Sequence, residues 1–102
     1  MVARSLIVTL ALALAGCAGP APVVEDVAVA RSPVPGHMRV TGTLINRGGG
    51  GTVELVVTLH GATTVRSDQM IVIDARQRLD LAVDVPAPAG SYTADVLAQY
   101  PN

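Results

Sequence analysis

The chain has 102 residues, enough for one domain, with half of them apolar, 15% charged and a formal net charge of −1. That balance excludes a disordered acidic tail and a basic nucleic-acid binder, and two tyrosines as the only aromatic side chains leave no stacking platform for bases or sugars. There are sixteen valines, no lysine and a single cysteine, so no disulfide within the chain is expected.

The first sixteen residues differ in composition from everything after them: Arg4 is the only charge, Leu6 to Ala15 is an apolar run, and small residues lead up to Cys17. This is the three-part layout of an export signal. The run is half the roughly twenty residues that a spanning helix requires, so residues 1–16 are expected to be a cleaved leader and not a permanent anchor. Cleavage after Ala13-Leu14-Ala15 satisfies the small-x-small rule of ordinary secretion, but it leaves Cys17 as an unpaired thiol in an oxidising compartment.

Leu14-Ala15-Gly16-Cys17 resembles the lipobox of bacterial lipoproteins, an aliphatic residue and two small ones before a cysteine. The resemblance implies cleavage between Gly16 and Cys17, diacylglycerol on the Cys17 sulfur and further acylation of the freed amine. Two or more acyl chains, at about 0.8 kcal/mol per buried methylene, anchor stably where one does not. In Gram-negative lipoproteins an Asp after the lipidated cysteine tends to hold the protein at the inner membrane. Ala18 therefore implies outer-membrane sorting in a host with two membranes.

Residues 17–22 read as the lipidated Cys17 and a tether, Ala18 to Pro22, in which two prolines and a glycine discourage helix and ladder alike. Residues 23–102 read as one all-β domain. Val27 and Val29 alternate with small residues in a first strand that stops at Ser32-Pro33-Val34-Pro35-Gly36. Met38, Val40 and Leu44 alternate with Arg39, Thr41 and Thr43, and four glycines, Gly48 to Gly51, follow Asn46-Arg47. Val53, Leu55, Val57 and Leu59 make the cleanest apolar face, set against Glu54, Val56, Thr58 and His60. Thr63 to Arg66 and Met70 to Ile73 are weaker stretches before a turn at Asp74-Ala75-Arg76-Gln77. Leu79, Leu81, Val83 and Val85 alternate with Arg78, Asp80, Ala82 and Asp84, and Tyr92 to Tyr100 forms the last strand. Six to seven short strands with one dry and one wet face predict an antiparallel sandwich of two sheets.

Gly90-Ser91-Tyr92-Thr93-Ala94 resembles the G-x-Y-x-C start of strand F in immunoglobulin-like domains, in which the tyrosine hydroxyl ties a corner; Ala94 stands where the disulfide cysteine would be. Val40 to Gly48 is similar to the G-x-x-x-N-x-G feature of bacterial Ig-like domains of the CARDB and FxLYD kinds, carried here by Gly42, Asn46 and Gly48. If Tyr92 opens strand F, the chain reaches Asn102 without a strand G and Tyr92 to Tyr100 is left as a sheet edge, either simply guarded by Pro101 and the mid-strand Asp95 or open to strand addition by a partner or a second copy.

No mechanistic motif emerges. His37 and His60 are the candidate bases and Ser32, Ser67 and Ser91 the candidate hydroxyls, yet none lies in a G-x-S-x-G elbow, and two histidines do not make an H-E-x-x-H site. Gly48 to Gly51 lacks the Lys and the following helix of a phosphate loop. Asp68, Asp74, Asp80 and Asp84 do not form a D-x-D-x-D-G calcium loop and read as solvated carboxylates, with Asp80 and Asp84 beside Arg78 on one strand face. No catalysis, metal or cofactor is expected. The expected function is that of a membrane-anchored envelope lipoprotein whose Ig-like domain acts by contact with another protein. The alternative is a lipoprotein that presents a small solute or metal to a transporter.

Overall fold

The computed structural model describes residues 19–100. The expected leader, the cleavage site at Gly16 and Cys17, and the lipidated cysteine lie outside the described residues. All six regular elements are strands: β1 (Pro22–Arg31), β2 (His37–Asn46), β3 (Gly51–His60), β4 (Thr64–Ile73), β5 (Arg78–Pro86) and β6 (Thr93–Gln99). They form two antiparallel three-stranded sheets, ordered β1-β2-β5 and β4-β3-β6. The expected all-β antiparallel class in two sheets is what the chain adopts, with six strands, because the two weak stretches belong to one ten-residue strand, β4.

Each sheet is built around the strand with the strictest alternation. In β2, Met38, Val40 and Leu44 are buried, and in β3 so are Val53, Leu55, Val57 and Leu59. Met38, Val40, Val83 and Val85 from the first sheet join Val57 and Leu59 from the second in one apolar cluster. Leu44 and Leu81 join Val53, Leu55 and Ile73 in another. The inner faces thus share a core of aliphatic side chains, an arrangement compatible with a small β-sandwich.

Two hairpins and three crossovers connect the strands, the third crossover running from Pro86 of β5 to Thr93 of β6 at the end where the hairpins turn. The β1–β2 turn closes through the His37 amide donating to the Val34 carbonyl, with Pro35-Gly36 at the corner, as turn chemistry requires. This hairpin and the β3–β4 hairpin turn at the same end of the body, here the hairpin end. At the opposite end, the chain passes between the sheets at Arg47–Gly50 and again at Asp74–Gln77; this is the Asn46 end.

β1 departs from simple alternation. Asp26 takes a left-handed φ of 57°, and the register slips between Glu25 and Ala28, so Asp26 and Val27 together oppose Gly42 alone. A Cβ on Gly42 would lie 3.2 Å from the Glu25 carbonyl and 3.5 and 3.7 Å from methyls of Val24 and Val27; these two side chains occupy the room that the glycine leaves.

Candidate functional site

Asn46 ends β2 with its side chain 1% exposed, and all its hydrogen-bonding capacity is used. Its Oδ1 accepts from the backbone amides of Ala21 and Gly48, both at 3.0 Å. Its Nδ2 donates to the carbonyls of Gly49 and Asp74, both at 2.9 Å. One amide therefore ties together the N-terminal arm, the glycine crossover and the β4–β5 turn. The arm is fastened further by the Arg47 amide to the Ala21 carbonyl and the Gly49 amide to the Gly19 carbonyl, each at 3.0 Å.

This overturns the reading of Ala18 to Pro22 as a free spacer in its described part. Gly19 to Ala21 is hydrogen-bonded to the crossover, and Pro22 already belongs to β1. It also gives the G-x-x-x-N-x-G pattern a physical meaning. Gly42 opposes the bulge, Asn46 is the hub, and Gly48 lies so close to the arm that a Cβ there would sit 2.5 Å from the Gly19 carbonyl oxygen. The amides of Gly48 and Gly49 are consumed by Asn46 and Gly19, so the glycine run presents no cradle for a phosphate.

At the hairpin end the Tyr92 hydroxyl donates to the Pro88 carbonyl, four residues upstream, at 2.7 Å. Ala94 packs against the shared core beside Tyr92 and Val96.

The candidate hydroxyls and bases are dispersed. Ser32 is buried; its Oγ donates to Asp84 Oδ1 at 2.8 Å and accepts from the Val34 amide at 3.0 Å. Asp84 is also gripped by Arg39 through two bonds of 2.8 and 2.9 Å. Hydrogen bonds from Arg39 and then Ser32 pull the Asp84 carboxyl down to about 2, which makes it a poor proton acceptor for the serine. His37 Nδ1 lies 2.9 Å from the Pro35 carbonyl oxygen, and His60 Nε2 lies 2.9 Å from Asp95 Oδ2 across the β3–β6 ladder. Ser67 is half-buried on β4 and Ser91 is exposed before β6.

The four aspartates weighed for calcium are likewise apart. Asp68 is held by Arg66 at 2.9 and 3.1 Å, Asp74 sits in the β4–β5 turn, and Asp80 and Asp84 face outward from β5. Among the described residues no three His, Cys, Asp or Glu side chains converge as a metal site. The clamp of Ser32, Arg39 and Asp84 escaped sequence reading, because its members lie 45 and 52 residues apart.

Two open features remain. A groove of about 360 Å³ runs between the end of β1 and the Gly90–Tyr92 segment, floored by Met38. The β6 strand pairs with β3 on one side, and on the other it lies beside β1, with Cα atoms within 8 Å but no backbone ladder between the two. Comparison of the chain with family models, curated proteins and solved structures returns no match.

Proposed function

We propose that the chain is a bacterial envelope lipoprotein, anchored through Cys17, whose Ig-like domain acts by contact with another envelope protein and without catalysis. Support for the anchor is the run Leu14-Ala15-Gly16-Cys17 directly after a short apolar leader. Support for the Ig-like reading is the Tyr92–Pro88 corner joined to the strand orders β1-β2-β5 and β4-β3-β6.

The observation that carries the contact role is the unpaired edge of β6, which lies beside β1 without forming a ladder with it. The other edge strands are defended: β1 by Pro22 and its bulge, β4 by the Arg66–Asp68 pair, β5 by Arg78, Asp80 and Asp84 along its outer face. In β6 the register against β3 runs without a slip, there is no proline, Leu97 is 55% exposed, and the single charge, Asp95, is turned toward His60 of β3. A partner strand entering between β6 and β1 along Thr93–Gln99 would satisfy the unpaired backbone groups of β6.

Hydrogen exchange on the protein captured with its envelope partner tests the contact. The β6 amides gain protection on complex formation; a strict monomer whose β6 amides are already protected rules the contact out. The anchor is tested separately by the intact mass and by Cys17→Ser, which abolishes lipid labelling and releases or stalls the protein. The solute-binding alternative rests on the groove at Met38 and predicts a rise in melting temperature with a metal ion or sugar.

A further inference from the structure

We infer that the Asn46 end of the domain is a lipid-headgroup contact, seated on the same leaflet that holds the acyl chains; the inference rests on the lipoprotein reading and adds an orientation to it. Gly19 is fixed to the body by its carbonyl, which accepts from Gly49, and it lies against the Tyr100 side chain. Only Ala18 separates it from Cys17, two steps along the chain and at most about 7 Å. A headgroup layer is about 5–7 Å deep on each side of the hydrocarbon. With the Cys17 sulfur at the acyl boundary, Gly19 and whatever it touches are held near headgroup depth, and the charges of this end set how the body tilts there.

The groups that this end presents suit that position. Arg47 is in the glycine crossover, Arg76 in the β4–β5 turn and Arg78 at the start of β5, all exposed and none in an ion pair among the described residues. Toward the hairpin end, Arg39 and Arg66 are committed to Asp84 and Asp68, and Arg31, at the end of β1, stands as a single exposed arginine outside the ion pairs among the described residues. The acidic groups near the three arginines are Asp74 in the same turn, and Asp80 and Glu25 on the next row of the outer sheet face. Arg76 holds a left-handed φ of 61°, a position where glycine or asparagine would be relaxed, so the turn carries a long cation at a conformational cost. Beside these cations stand Tyr100, 55% exposed, and Val72, 77% exposed, an amphipathic ring and an aliphatic group of the kind that rests at a membrane interface. Phosphate groups of anionic lipid are the complement of this surface.

In this orientation the strands stand up from the bilayer. A ten-residue strand is about 33 Å long, so the hairpin end and its groove face away from the membrane while the β6 edge is presented sideways.

The test uses the acylated protein in vesicles. Once Cys17 is acylated there is no other thiol, so a fluorophore can be placed at Ala75→Cys, in the β4–β5 turn, or at Ala62→Cys, in the β3–β4 turn. In phosphatidylglycerol vesicles a headgroup-borne quencher is expected to reach the label at position 75 at least fivefold more than the one at 62. Iodide in the water shows the reverse order. Pure phosphatidylcholine, high salt, or the variant Arg47→Gln/Arg76→Gln/Arg78→Gln shrinks the contrast to about twofold or less. Equal quenching of the two labels in acylated protein, or a contrast that neither salt nor lipid charge alters, overturns the headgroup contact and leaves the anchor standing. A protein whose mass lacks the diacylglycerol refutes anchor and contact together.

Discussion

Replacing Asn46 with alanine removes the one side chain on which three separate segments converge. Two accepted bonds of 3.0 Å and two donated bonds of 2.9 Å disappear, and their partners are partly buried. At about 1 kcal/mol net for each bond, the loss is about 4 kcal/mol, reduced to about 3 if water enters the space and repairs part of the network. A domain of this size has a total stability of roughly 4–12 kcal/mol. With a urea slope of about 1 kcal/mol per molar, the midpoint falls by roughly 3 M, and the melting temperature by at least 12 °C. Equilibrium urea unfolding of wild type and Asn46→Ala, with equal slopes, measures the difference directly. Asn46→Asp is the companion variant: it keeps the accepted bonds but sets carboxylate oxygen against the carbonyls of Gly49 and Asp74. Its folded state disfavours the ionised form, so its carboxyl pKa is raised on folding, and the lost stability returns in part as the pH is lowered through that value. A loss below 1 kcal/mol in Asn46→Ala, or an Asn46→Asp variant with a flat acid profile, would refute the hub.

Three further outcomes follow from the same geometry. Tyr92→Phe keeps the ring in the core but loses the bond to Pro88, and about 1 kcal/mol with it, seen as a fall of about 4–8 °C in melting temperature; an unchanged temperature denies the corner any energetic role. Gly48→Ala places a methyl 2.5 Å from the Gly19 oxygen and 2.8 Å from the Ala21 nitrogen, so the arm is displaced at a cost of about 1–3 kcal/mol and the Ala21 amide loses its protection in hydrogen exchange; unaltered protection contradicts the docked arm. The Asp84 carboxyl is lowered on folding from 3.8 to about 2, so its contribution is complete above pH 4 and is lost as the pH falls through 2. Wild type therefore loses more stability than Asp84→Asn between pH 4 and 2, and parallel acid profiles for the two proteins count against the clamp.

The two-faced strands could be read from residues alone where a central strand buries a whole face, as Val53, Leu55, Val57 and Leu59 do in β3. Alternation failed as a guide at the margins. β4 is an edge strand whose inward row carries Ser67 and Gln69, so the chain shows two broken apolar stretches, whereas the ladder to β3 runs unbroken from Thr64 to Ile73. Val27 was expected to share a face with Val29, but the bulge at Asp26 intervenes and leaves it 37% exposed. Val56 lies on the outer face of β3, as the alternation has it, yet is 9% exposed because Asp68 and Leu97 flank it across both ladders. The arm after Cys17 looked like a spacer because proline and glycine favour extended, unpaired chain; its bonds go to residues more than twenty positions away.

The amino-acid order on its own determined the strand character and the faces that turn from water, since each follows from side chains within a few positions of one another. Which strands become neighbours, which edge is left open, and the gathering of arm, crossover and turn around Asn46 were decided only by tertiary structure. The reason is physical: period-two burial is a property of one strand, but a hydrogen bond across the body requires both partners to be in place, and that is settled by packing the two sheets on one another.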